Sequence, residues 1–131
     1  MRALDSNVLL RYLVGDDLRQ TAIAERIIEE CRHDEEPLYV PVLVLCETIW
    51  VLDRVYQQSK SQIIEAVGTV LMMDLIHLEH DRHVRRAFDQ FCNSKGSFPD
   101  YLIGEIAAAA GCRDTVTFDK ALRGAPGFTI L

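Results

Sequence analysis

At 131 residues the chain has the length of one ordinary domain, enough to bury roughly two-thirds of the surface its unfolded form exposes, so a single domain over residues 1–131 is expected. Hydrophobic residues make up 49% and charged residues 26%; no apolar run approaches the roughly 18 residues of a membrane span, which argues against a membrane protein. The start MRALDSNVLL lacks the apolar core of a signal peptide, so the cytoplasm is the expected location. A net charge of −6 argues against coating nucleic acid through bulk positive potential, but not against a nuclease whose acids hold divalent cations.

In chain order, RALD is a short strand ending in an acid, and SNVLLRYLVG is a helix stopped at Gly15. Asp16 or Asp17 can cap the next helix, whose apolar positions Ile23, Ile27, Ile28 and Cys31 follow helical spacing. LYVP has strand character, and VLVLCETIWVL starts a helix reaching about Tyr56. A helix follows over 60–73 through Ile63, Val67, Val70 and Leu71, then the short strand LIHL. Asp81 to Cys92 carries a clean stripe of Val84, Ala87, Phe88, Phe91 and Cys92. The loop NSKGSFP breaks it, and DYLIGEIAAAAG, TVTF, a short helix after Asp119 and FTIL complete the chain. Strands alternating with helices predict an α/β fold around a mostly parallel central sheet flanked by helices. Functional groups in such sheets gather at the C-terminal ends of strands, where Asp5 and Asp119 fall.

Four acids stand out by position: Asp5 after the first strand, Glu47 inside an apolar helix, Asp100 opening a helix, and Asp119 after TVTF. Asp5 and Asp119 also suit helix caps, and Ser97 with Asp100 fits the capping-box pattern. Glu47 has no capping role, since Leu43, Trp50 and Val51 surround it at helical spacing. Burying an isolated charge costs several kcal/mol, so a carboxylate there calls for a partner. Were the four to converge, each pair about 5 Å apart would repel by roughly 3 kcal/mol at an effective dielectric near 20. A divalent cation removes that repulsion. All-oxygen ligands suit Mg²⁺ or Mn²⁺, and such ions support phosphodiester hydrolysis.

The segments ALDSNVLLRYL, VPVLVLCETIWVL, FPDYLIGEIAAAAGC and TVTFDKAL, in this order and at these intervals, resemble a PIN domain of the VapC toxin type over essentially the whole chain. The resemblance implies a PIN-like three-layer fold and an endoribonuclease using Mg²⁺ or Mn²⁺ held by Asp5, Glu47, Asp100 and Asp119. It implies supporting roles for Asn7 and Thr117, which match polar residues that orient the acids. Ser6 stands where threonine is more usual and Gly104 where alanine is commoner. The resemblance further implies an RNA substrate, an inhibitory antitoxin protein as partner, and self-association as a homodimer.

Lys95, before the loop leading to Asp100, and Lys120 with Arg123, after Asp119, are candidate phosphate contacts. The run HLEHDRH spreads His77, His80 and His83 over a strand and a helix start, which does not place three rings on one face. The four cysteines lie far apart and read as reduced core thiols. A haloacid-dehalogenase-type phosphotransferase needs a second acid two residues after Asp5, where Asn7 stands. The alternative from another class is a PIN-like RNA- or protein-binding module without hydrolysis; loss of a ligand acid would mark it, and all four are present.

Overall fold

Gly15 stops the first helix by adopting a left-handed conformation (φ 70°), which residues carrying a Cβ rarely take, and its N–H returns to the Arg11 carbonyl. The computed structural model describes every residue from Met1 to Leu131, and the chain divides into two units, Met1–Glu79 and His80–Leu131. In the first unit β1 (Arg2–Ala3), α1 (Ser6–Val14), α2 (Leu18–His33), β2 (Leu38–Val40), α3 (Val42–Arg54), α4 (Lys60–Leu71) and β3 (Ile76–Leu78) follow one another. The strands form a parallel sheet in the order β1-β2-β3, with Arg2 level with Leu38 and Leu38 level with Ile76. Parallel neighbours require long crossovers, which the helices supply.

Each helix start in this unit has a local cause. Asp17 accepts from the Gln20 N–H to cap α2, and Ser59 with Gln62 forms a capping box on α4. Pro41, which precedes α3, has no side-chain acceptor, and Glu79 at the end of β3 takes its place by accepting from the Val42 N–H at 2.8 Å. Leu9, Ile28, Leu38, Val40, Leu45, Leu52, Val67 and Val70 are fully buried. On α2 the buried line is Ala24, Ile28 and Cys31, whereas Ile23 is exposed. The helix is therefore turned slightly from the face that its isoleucines suggest.

The second unit holds α5 (Asp81–Asn93), α6 (Phe98–Ala109), β4 (Thr115–Thr117), a 3₁₀ turn over Lys120–Leu122, and β5 (Phe128–Ile130), which pairs parallel with β4. Val84, Ala87 and Phe91 of α5 are buried, and Phe91 meets Phe98 of α6 edge to face at 6.3 Å. The loop expected over NSKGSFP ends early, because Ser97 caps α6 and Phe98 and Pro99 already lie in its first turn. Proline is tolerated there, since the N–H it lacks has no partner in a first turn. Gly104 faces the Phe128 ring so closely that an added Cβ would lie 2.8 Å from Phe128 Cζ. Glycine at this position lets β5 pack on α6.

The α/β class, with parallel strands and six accompanying α-helices, holds as expected. No helix is long and apolar enough to cross a membrane. All four cysteines are free thiols. Cys31 is buried and Cys46 and Cys92 are half-buried, but Cys112 is exposed and is no core thiol. It follows Gly111, whose positive φ (88°) turns the chain away beyond α6.

Candidate active site

Asp5 occupies the N-cap position of α1, directly beyond β1, with extended backbone angles (φ −89°, ψ 160°). Its carbonyl accepts from the Leu9 N–H at 3.2 Å, but its side chain makes no capping hydrogen bond, so the bland explanation for this acid fails. The carboxylate is exposed and uncommitted, and Asn7 stands exposed two residues on. Glu47 departs from the inner-face placement its apolar neighbours suggest. Helix α3 buries Leu45, Thr48, Ile49 and Leu52, which leaves Leu43 (76% exposed), Glu47 and Trp50 (58% exposed) along the outer stripe. An apolar string in a helix spreads over all faces, so apolar neighbours in sequence do not bury the residue between them. Glu47 therefore carries no burial penalty that demands a partner.

In the second unit both acids serve as caps. Asp100 Oδ2 accepts from the Ser97 N–H at 3.0 Å and from Ser97 Oγ at 2.6 Å, while Ser97 Oγ accepts from the Asp100 N–H. Asp119 Oδ1 accepts from the Ala121 N–H at 2.9 Å and starts the 3₁₀ turn. Each cap uses one carboxylate oxygen, and Asp100 Oδ1 and Asp119 Oδ2 make no hydrogen bond. Thr117 meets Asp119 directly, its Oγ1 accepting from the Asp119 N–H at 3.0 Å. It thus fixes the backbone that carries this acid.

Among the basic candidates, Lys95 and Arg123 line one cavity of about 340 Å³ in the second unit, while Lys120 lies exposed on the 3₁₀ turn. Asn7 lines a different cavity of about 520 Å³ in the first unit, with Arg2, Arg11 and Ile23. The three histidines of HLEHDRH do not gather: His77 lies beside Tyr39 with ring centroids 5.9 Å apart, whereas the His80 and His83 rings lie 6.1 Å apart, and His83 Nδ1 sits 3.6 Å from Glu105 Oε2, which also faces Arg86 at 3.9 Å. A polar cluster in the first unit carries no sequence signal. Tyr56 donates to Asp16 at 2.8 Å and accepts from Arg11 at 3.0 Å, and Arg11 also reaches Asp16 and Gln20. Glu79, the cap of α3, is likewise invisible in the sequence, because its partner Val42 is remote along the chain.

Within neither unit do three or more His, Cys, Asp or Glu side chains gather closely enough to share an ion. Asp5 and Glu47 belong to the first unit, Asp100 and Asp119 to the second. Taken one by one, these acids suit a hard cation by chemistry, since each offers only carboxylate oxygens and the caps leave an oxygen free on Asp100 and Asp119. The chain matches the PIN domain over residues 2–127. It is 30% identical over 123 residues to a VapC ribonuclease of Aquifex aeolicus, covering 94% of this chain and 90% of that one. Among solved structures, that of VapC20 of Mycobacterium tuberculosis, a toxin that cleaves the sarcin-ricin loop, aligns at 17% identity and a TM-score of 0.45, over 97% of this chain and 96% of that one. The chain belongs to the PIN-domain family and is a homologue of VapC ribonucleases.

Proposed function

We propose that the chain, as one PIN domain over residues 1–131, is an Mg²⁺- or Mn²⁺-dependent endoribonuclease and the toxin of a toxin–antitoxin pair. It works in the cytoplasm as a homodimer and is held inactive by a small antitoxin protein. The observation that carries this reading is the family match over residues 2–127, with an acid at each of the four positions 5, 47, 100 and 119. Support also comes from Asp5, whose free carboxylate at the end of β1 has no capping bond to explain it. In this reading Asp5, Glu47, Asp100 and Asp119 are the metal ligands and the catalytic residues. Such an ion, when bound, supplies activation of water and neutralises charge on the phosphodiester. Thr117 holds the Asp119 backbone, Asn7 supports the start of α1, and Lys95, Lys120 and Arg123 contact phosphates.

The test uses aspartate-to-asparagine changes, which remove charge but keep an oxygen for the caps. In the purified chain with Mg²⁺ or Mn²⁺ and RNA, Asp5→Asn, Asp100→Asn and Asp119→Asn are each expected to lower cleavage by at least about two orders of magnitude, roughly 2.7 kcal/mol of barrier. Undiminished cleavage in EDTA overturns the reading. RNA binding without cleavage in any metal favours the non-catalytic binding module instead.

A further inference from the structure

We infer that the cavity holding Lys95 and Arg123 is a subsite for one nucleotide of single-stranded RNA next to the cut, with its phosphate between the Lys95 ammonium and the Arg123 guanidinium. The inference rests on the ribonuclease reading and assigns part of its substrate to a place. One wall comes from the end of α5 and the loop after it, through Gln90, Ser94 and Lys95; the opposite wall follows the 3₁₀ turn, from Arg123 to Pro126.

The backbone is shaped to hold these walls. The Gly96 N–H donates to Tyr101 Oη at 2.8 Å, and a Cβ on Gly96 would lie 2.6 Å from Leu122 Cδ2 and 2.8 Å from Tyr101 Oη. A side chain there would have to push Leu122 and Tyr101 aside, so glycine gives the loop after Lys95 room against them. Gly124, with φ +83°, turns the chain just after Arg123. The volume, about 340 Å³, falls at the lower end of the range for small-ligand sites, roughly 300 to 1,000 Å³.

Charge identifies the occupant. Most of the chain's arginines already face carboxylates, as Arg11 does Asp16, Arg26 does Glu30, Arg85 does Asp81 and Arg86 does Glu105. Lys95 and Arg123 have no such partner, and no acid lines their cavity. Two cations facing one cavity without a counter-charge favour an anion, and a phosphate accepts from both at once. The Gln90 amide can serve the sugar or base, and Ala125 with Pro126 offers an apolar wall for the ribose or base face. The cavity also adjoins both acids of its unit along the chain: Tyr101 in its lining follows Asp100, and Ala121 lies two residues past Asp119. This closeness along the chain is the ground on which the nucleotide is assigned a place beside the one being cut.

The experiment measures binding of a fluorescein-labelled single-stranded RNA dodecamer to the Asp5→Asn chain in EDTA over a salt series, with and without Lys95→Gln and Arg123→Gln. Each single-stranded phosphate contact contributes about 0.7 to the slope of log affinity against log salt. The double variant, which loses the one phosphate the two cations share, is expected to bind at least tenfold more weakly, with a slope shallower by about 0.7. Arg26→Gln, which removes an arginine already paired with Glu30, is expected to change neither. Otherwise wild-type chains carrying Lys95→Gln or Arg123→Gln are expected to show a raised KM with kcat within about twofold, as for loss of uniform binding. Unchanged affinity and slope in the double variant, an equal loss in Arg26→Gln, or no binding of the dodecamer at all overturns the subsite. If the slope shifts yet no cleavage occurs in any metal, the cavity binds an RNA phosphate but adjoins no cut, and the ribonuclease reading fails. Metal-dependent cleavage with an unchanged slope has the opposite meaning.

Discussion

A carboxylate exposed on a helix and one buried beneath it respond differently to losing their charge, and Glu47 is exposed between Leu43 and Trp50. Glu47→Gln is therefore expected to leave the melting temperature in EDTA within the change that about 0.5 kcal/mol produces, as for ordinary surface substitutions. A metal ligand still predicts loss of RNA cleavage in the same variant, so calorimetry and a cleavage assay together separate ligand from structural residue. The cluster around Asp16 has its own pH signature. The hydrogen bond from Tyr56 holds the Asp16 carboxyl below its usual range against the opposing cost of desolvation, with its own backbone and Arg11 adding to the lowering. A lowered value in the folded state favours folding above the ordinary carboxylate range, and that benefit is lost as pH falls through the lowered value. Asp16→Asn should thus show a smaller fall in melting temperature between about pH 5 and pH 2 than wild type, measured by circular dichroism. Tyr56 is pushed up, first by its bond to Asp16, so its contribution is present below the usual phenol range and fades as pH rises through the raised value.

Helix boundaries and packing contacts respond to single atoms. Glu79→Ala removes the acceptor for the Val42 N–H, and the loss of a helix cap costs typically about 1 kcal/mol, whereas Glu79→Gln retains an oxygen and should recover most of it; urea melts of the two variants compare them directly. Gly104→Ala drives a methyl to within 2.8 Å of the Phe128 ring, and overpacking of this kind costs about 1 to 3 kcal/mol. Alanine, which the resemblance makes commoner here, would have to share this space with the Phe128 ring. The elements were legible in the sequence where apolar spacing and a cap agreed, as at Asp17 with Ile28 and Cys31, or at Gly15. They were less legible where two cues conflicted. Phe98 and Pro99 read as a loop because proline breaks helices, although at a first turn it does not. The face of α3 misled for a related reason: nearly every position is apolar, so periodicity could not say which stripe is outside.

Over the whole chain, the family was legible because the order and spacing of its motifs survive in one dimension. The caps made by Asp100 and Asp119 were legible too, from Ser97 three residues before Asp100 and from the short helix after Asp119; that Asp5 makes no capping bond was not, since a cap and a ligand use the same residue types. Long-range partners were hidden for a simpler reason: Tyr56 lies 45 residues from Arg11, and no local pattern links them. Thiol chemistry gives a check on the chain's surface. Cys112 is exposed and Cys31 buried, and burial pushes the half-buried Cys46 thiol up, so a maleimide at neutral pH is expected to modify Cys112 first and Cys31 last, read by mass spectrometry. The shortness of β1 has a consequence for timing. This strand holds its place through two residue pairs, Arg2 with Leu38 and Ala3 with Tyr39, and Leu4 adds a hydrogen bond from its N–H to the Tyr39 carbonyl. β2 has β3 on its other side and is secured twice. Peeling β1 away breaks few bonds, so it should need much less energy than unfolding the unit. Deuterium uptake at the Leu4 amide should outpace uptake at Leu38, whose N–H bonds to the Leu75 carbonyl. Asp5 is the next residue after Leu4, and the exchange rate of that one amide therefore clocks how often the first acid loses its anchorage.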